Sequence, residues 1–266
     1  MDVNQDNDGI DLEERNRLWE TLSIEDWMTI ENIQSLFVST MQDDNAHKFT
    51  LDIADRDSAL VSCLQSVDQT ALRFISFFRQ IHEFEGLDAD DRFILMKYNL
   101  LPVFPIYKCF NYKPENHYLS DEENEEVIRF EQFCRLFDQT SDIRDILIKL
   151  IVSLVKLTQQ DPTILSLILI IIVFTQGLSL NDDAPVLKNP LAVHRIQCHY
   201  IEVLRNYLTQ KWDEQQTCHY FTQLLAMIFQ LQSTSKIFRD FLDLHPLTRN
   251  SVEHITPLLK TFLNIS

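Results

Sequence analysis

Apolar residues recur along this chain at helical rather than strand spacing. In the most informative stretch they fall at Leu60, Cys63, Leu64, Val67, Ala71, Phe74, Phe78 and Ile81, the i, i+3, i+4, i+7 rhythm of one helical face. The spacing predicts one long helix over 57–85, roughly 43 Å at 1.5 Å per residue. Gly86 offers a stop and Asp88 a new start. Pro102 and Pro105 each remove an amide donor, so helix geometry should kink or restart over 101–105. Further helices are expected over 23–41, where Ser23 and then Asp26 give a start signal, and over 142–158, 161–174, 189–212 and 213–243. A last short helix is expected over 256–265, with Thr256 as N-cap, Pro257 at the first helical position, and Leu258, Leu259, Phe262 and Leu263 on one side.

The run ILSLILIIIVF over 164–174 is apolar on every face. A membrane span needs about 20 such residues, and Asp161 and Gln176 flank this run closely, so it reads as a helix buried on all sides. Residues 1–22 are polar and acidic and read as a flexible arm, leaving 23–266 as one domain. The segment NYKPENHYLS over 111–120 reads as a loop or small β-hairpin. After it, DEENEE reads as a solvated helix start, where the helix dipole favours carboxylates.

Composition narrows the functions open to such a fold. The 266 residues include 40 acidic and 23 basic side chains, a net charge of −17, which excludes unaided binding to duplex DNA. Three glycines and eight prolines are too few for glycine-rich phosphate loops or an all-β fold. The five cysteines are odd in number and far apart, as expected of reduced thiols acting as small apolar residues. No charged-then-apolar leader opens the sequence, so secretion is not expected.

Enzyme signatures are missing: there is no G-x-S-x-G, no P-loop and no H-E-x-x-H. The tripeptide Cys-His-Tyr occurs at 198–200 and again at 218–220. Adjacent helical residues point about 100° apart, so each pair offers one inward ligand where zinc wants four. Buried thiols beside partly exposed imidazoles are expected instead, and no metal or cofactor. His82 and His254 have no evident catalytic partner and read as surface or loop residues.

The segment FFRQIHEFEGLDADDRFILMK over 77–97 resembles the signature of nuclear receptor ligand-binding domains, with Phe77, Arg79, Ile81, Phe84, Leu87, Asp91, Leu95 and Lys97 at matching positions. The resemblance continues: DPTILSLILIIIVF is similar to family helix 8, HYIEVLRNYL to helix 9, FTQLLAMIFQLQSTSKIFRDFL to helices 10 and 11, and TPLLKTFL to the activation helix 12. The ending and helix 11 look closest to the vitamin D receptor and pregnane X receptor group.

The resemblance implies an all-α, three-layer antiparallel sandwich of about 10–12 helices whose lower half encloses an apolar cavity. Its ligand would be a steroid-, sterol-, fatty acid- or xenobiotic-like lipophile. Cys63, Ser66, Val67 and Thr70 would line that cavity from family helix 3, Leu101, Phe104 and Tyr107 from helix 5, and Phe238 and Leu242 from helix 11, with Leu259 and Leu263 closing the lid. Thr70 and Tyr107 stand out because a buried hydroxyl needs a partner, which a ligand could supply. The resemblance also implies a groove of family helices 3, 4 and 12 for a leucine-rich coregulator helix. Arg79 and Lys97 would be its cations, with Arg92 nearby, and Ile75 and Phe93 its apolar floor.

The chain departs from the family pattern at named positions. Thr261, preceded by Lys260, stands where helix 12 carries the clamping Glu, a loss of about 1–2 kcal/mol of charge-assisted capping. Arg92 replaces the helix 4 Gln, Pro102 the helix 5 Glu, Tyr107 the helix 5 Arg, and Ile164 the helix 8 Glu. Dimerisation, as a homodimer or with a retinoid X receptor-like partner, would use Leu204, Tyr207, Phe221, Leu225, Ile228 and Leu231. The expected function is ligand-regulated transcription in the nucleus, without enzymatic activity, membrane contact or direct nucleic-acid contact by this chain. A module with a filled pocket that dimerises or binds corepressors without ligand is the alternative, and an unrelated helical enzyme or lipid carrier a more distant one. The zinc-module cysteines of the family's DNA-binding domain are not in this sequence, which implies a receptor lacking that domain or a piece of a longer one.

Overall fold

The structure, a computed structural model, describes residues 22–42, 55–112, 142–176, 185–244 and 256–263. In chain order its helices are α1 (Ile24–Met41), α2 (Arg56–Phe78), α3 (His82–Glu85), α4 (Ala89–Asn99), a 3-10 turn (Leu101–Val103), α5 (Phe104–Phe110), α6 (Asp142–Thr158), α7 (Pro162–Val173), α8 (Pro190–Lys211), α9 (Glu214–Leu244) and α10 (Pro257–Leu263). No strand occurs among the described residues. Most of 111–120, DEENEE and the arm through residue 21 lie outside them, whereas Leu22 packs against the core.

Capping residues set most of the boundaries. Ser23 Oγ accepts from Asp26 N at 3.0 Å, Asp55 Oδ1 from Ser58 N at 2.9 Å, Asp88 Oδ1 from Asp90 N at 2.9 Å, and Asn189 Oδ1 from Ala192 N at 3.1 Å. Each satisfies an amide that the first helical turn leaves without a partner. Pro102 and Pro105 divide α4 from α5 through the 3-10 turn, as expected of residues lacking an amide donor.

The long helix is shorter than its apolar rhythm suggests. It ends at Phe78, not at Glu85, and Arg79 and Gln80 form a turn before α3. Gln80 N and Ile81 N bond three residues back, to Phe77 O and Phe78 O, tightening the last turn. Phe78, Ile81 and Phe84 are buried on both sides of this break, so apolar spacing continues through it.

Three layers follow from the packing. α1 and α2 pair on one side, α6 and α9 on another, and α4, the 3-10 turn, α5 and α7 lie between; α8 packs on α7 and α9. Every residue from Thr163 to Phe174 is buried, so the most apolar run is an enclosed helix. No described helix is long and apolar enough to cross a membrane. Aromatic rings run through the layers as a chain, Phe110 to Phe37 (4.9 Å between centroids), Phe77 (5.9 Å), Phe78 (5.3 Å), Phe84 (5.3 Å), Phe174 (6.1 Å) and Tyr200 (6.4 Å). The Tyr200 hydroxyl donates to Glu83 at 3.0 Å.

Polar side chains close the ends of the buried helices. Asp161 Oδ1 accepts from Thr163 N at 2.9 Å, and its Oδ2 accepts from the Tyr207 hydroxyl at 2.8 Å and Lys211 Nζ at 2.6 Å, tying α7 to α8. Asn99 donates to Val173 O and Thr175 O, both at 3.0 Å, at the other end of α7. Gln159 and Gln160 turn the chain between α6 and α7 at φ 52° and 58°, the left-handed region that costs L-residues free energy. The Gln160 amide holds the turn by donating to Cys109 O at 2.9 Å, in the last turn of α5, and to Tyr112 O at 2.7 Å, just beyond it.

Gln159→Gly should raise the free energy of urea unfolding by about 0.5–1 kcal/mol, because glycine adopts this φ without a Cβ penalty. Gln160→Ala should lower it by about 1–3 kcal/mol by removing the side-chain hydrogen bonds that hold the turn. Equal effects of the two changes would contradict this account of the turn.

Alkaline pH gives a second check. Burial pushes the Cys109 thiol from 9.0 up to about 12, and burial beside Asp161 pushes the Tyr207 hydroxyl from 10.0 up to about 12. Both groups hold their proton more tightly in the folded state, so their contribution is intact below about pH 9 and lost as the pH rises toward 12. Unfolding free energy should fall through that window, and Cys109→Ala should flatten its lower part; a flat profile would contradict both placements.

Candidate functional site

On α2, the helix spacing puts Leu72, Ile75 and Arg79 on one face, and on α4 it puts Phe93 and Lys97 on another. The last helix, α10, packs against both α2 and α4 and bridges them. Leu72 is 52% exposed and Phe93 54%, so each offers a large apolar side chain to solvent. Ile75 is half-buried and packed against the core. Arg79 caps the C-terminus of α2, is exposed, and forms no ion pair among the described residues. Lys97 is half-buried, its Nζ 5.6 Å from the centroid of the Tyr98 ring.

Two other expected members are engaged elsewhere. Arg92 Nη1 lies 2.5 Å from Glu85 Oε2, so the basic trio reduces to Arg79 and Lys97. Thr261 Oγ1 donates to Pro257 O at 2.9 Å, one turn back on its own helix. Leu72 was not expected here. Its signal in the sequence is an apolar side chain on the outward face of an amphipathic helix, off the stripe formed by Ala71, Phe74 and Phe78.

Residues 58–247, well over half of the chain, match the ligand-binding domain of nuclear hormone receptor family. The chain belongs to that family. No curated protein matches it. The match covers α3, α4 and the enclosed helix α7 and stops short of α1 and α10, a smaller span than the resemblance drawn from the residues. A ligand-binding regulatory domain is thereby the general class.

The expected ligand-facing residues divide by burial. Cys63, Ser66 and Val67 on the first half of α2 are half-buried, as are Leu101 and Phe104, whose ring meets Phe74 edge-on at 5.7 Å. Thr70 is buried, but its hydroxyl donates to Ser66 O at 2.9 Å, so the donor is satisfied within α2 and needs no ligand. Tyr107 is buried in α5. Phe238 and Leu242 lie on α9, and Leu259 and Leu263 on α10; their side chains are outside the description.

The proposed partner face is sorted by the structure. Leu204, Tyr207, Ile228 and Leu231 are buried in the chain's own core, and Phe221 is half-buried against it. Leu225 (41% exposed) remains outward, joined one turn on by Phe229 (59% exposed), which was not expected.

The Cys-His-Tyr repeats turn the opposite way to expectation. In each it is the tyrosine that faces inward, whereas Cys198 and Cys218 are both exposed, and among the described cysteines only Cys109 is buried. Cys198 Sγ lies 3.5 Å from His194 Nε2, one turn away. No group of three metal-ligating side chains occurs among the described residues. His82 is exposed at the start of α3, as expected, and His254 lies outside the description.

Leu72→Ala and Phe93→Ala should each lower the unfolding free energy by less than about 1 kcal/mol, because half or more of each side chain already meets water. Phe78→Ala should cost about 3–5 kcal/mol as a core truncation. A loss at Leu72 or Phe93 as large as at Phe78 would show them to be core residues.

Proposed function

We propose that this chain is the ligand-binding domain of a nuclear receptor that recruits a leucine-rich coregulator helix to the surface formed by α2, α4 and α10. The observation that carries the reading is the pairing of exposed Leu72 and Phe93 with a cation, Arg79, that forms no ion pair among the described residues, on helices that α10 bridges. An amphipathic peptide helix has the complementary parts: leucines for the apolar side chains, and a C-terminal end whose partial negative charge Arg79 or Lys97 can cap. With Thr261 in place of a carboxylate and bonded to Pro257 O, the other end of the peptide has no charged clamp, so affinity rests on the apolar contact and the single basic end.

The ligand belongs to the same proposal. The first half of α2, with half-buried Cys63, Ser66 and Val67, is covered less completely than the Phe74, Phe77 and Phe78 half, which supports a space there for a lipophile. Such a molecule acts by binding one arrangement of α10 better than another. The ending and family helix 11 look closest to the vitamin D and pregnane X receptor group, and Tyr107, in place of the helix 5 Arg that holds polar ligand groups in some relatives, sets a different polar preference. Outward Leu225 and Phe229 on α9 support a dimer, homodimeric or with a retinoid X receptor-like partner. The domain works in the nucleus, and the charge of −17 leaves DNA contact to another module or partner.

Fluorescence polarisation with a leucine-rich helical peptide tests the surface directly. Arg79→Glu and Phe93→Ala should each weaken binding at least tenfold, about 1.4 kcal/mol, with lipophiles retained in native mass spectrometry raising the affinity of the unchanged chain. Peptide binding insensitive to both substitutions would overturn the assignment.

A further inference from the structure

We infer that a hydrogen bond between Asp68 and Thr256 is a built-in latch that holds α10 against α2 and α4 with no molecule bound. Asp68 lies on α2 and is only 8% exposed, a degree of burial that is costly for a carboxylate unless it is bonded. Thr256 Oγ1 donates to its Oδ1 at 2.5 Å, across 188 positions of sequence. Hydrogen bonds from a hydroxyl to an ionised carboxylate are shorter and stronger than neutral ones.

The position of the bond gives it leverage. Thr256 immediately precedes Pro257, the first residue of α10, and Lys260 N already bonds back to Thr256 O at 3.0 Å. The carboxylate therefore fixes where the chain enters the helix, and Leu258, two residues on, packs against the core. Asp68 also stands one turn before Leu72 on the face that continues to Ile75 and Arg79, so the latch and the proposed peptide surface share one stripe of α2. Thr261, whose hydroxyl is bonded within α10, adds no such tie to α2.

The consequence is that α10 is docked before any ligand arrives, and the peptide surface is formed in the free protein. Only this consequence for peptides rests on the function proposed above; the docking itself does not.

Hydrogen exchange of the full chain, without ligand or peptide, reads the latch over the amides of 258–263. They should be protected in the unchanged protein and should exchange about tenfold faster in Thr256→Val and in Asp68→Ala. The double variant should go no faster than Thr256→Val alone, since that change has already removed the bond, and Asp68→Asn, which keeps an acceptor oxygen but loses the charge, should fall between the unchanged protein and Asp68→Ala. Thr256→Val preserves side-chain shape and the buried carboxylate, so it remains informative if Asp68→Ala fails to fold. Unprotected amides in the unchanged protein, unaltered exchange in Thr256→Val, or an equal rise across α7 and α8 would each overturn the latch. Faster exchange with unchanged peptide affinity would leave the latch standing and remove the peptide surface.

Discussion

A helix with no polar face has to be enclosed, and α7 imposes that condition on the whole molecule. From Thr163 to Phe174 nothing meets water, so α1, α4, α5 and α8 all pack on one twelve-residue element. Burying it in apolar surroundings is favourable for its side chains and unfavourable for the peptide groups at its ends. Asp161 meets the first of those ends and Asn99 the second, and each belongs to a wider link: Asp161 to Tyr207 and Lys211 of α8, Asn99 to the last turn of α4. The layers are thus joined by the groups that make the central helix tolerable.

The position of the candidate surface follows from that enclosure. Asn99 fixes the end of α4 on α7, and Asp91, fully buried in α4, accepts from Lys188 N at 2.7 Å and Asn189 N at 3.0 Å and so holds the chain entering α8. With α4 held on its inner side, the outward residues Phe93 and Lys97 are presented from a rigid support. α2 is anchored in the same way by Phe74, Phe77 and Phe78 in the aromatic chain, which leaves Leu72 and Arg79 on its outer face. A binding surface built from well-anchored helices keeps its geometry better than one built from loops.

Much of the fold was legible in the residues because it is written in local chemistry. Ser23, Asp88, Asp161 and Asn189 start helices by capping amides, and Pro102 and Pro105 divide one helix from the next; each of these signals is confined to a few neighbouring residues. The break after Phe78 was not legible, since Ile81 and Phe84 continue the buried rhythm and neither glycine nor proline marks the turn. The candidate surface was readable in part: the family resemblance grouped Ile75 and Phe93 with Arg79 and Lys97. The pairing of Arg92 with Glu85 and the buried contact between Asp68 and Thr256 depend on how separate elements meet. Burial on α8 and α9 was hidden for the same reason, because an apolar side chain such as Leu204 or Leu225 looks alike in sequence whether it faces the core or a partner.

The central claim is that these anchored helices present a seat for one amphipathic helix. A crystal structure of the chain with a leucine-rich helical peptide tests it most directly. The peptide should lie between α2, α4 and α10, its apolar side on Leu72, Ile75 and Phe93 and its C-terminal end beside Arg79 or Lys97. A peptide seated instead along the Leu225 and Phe229 face of α9 would contradict the account.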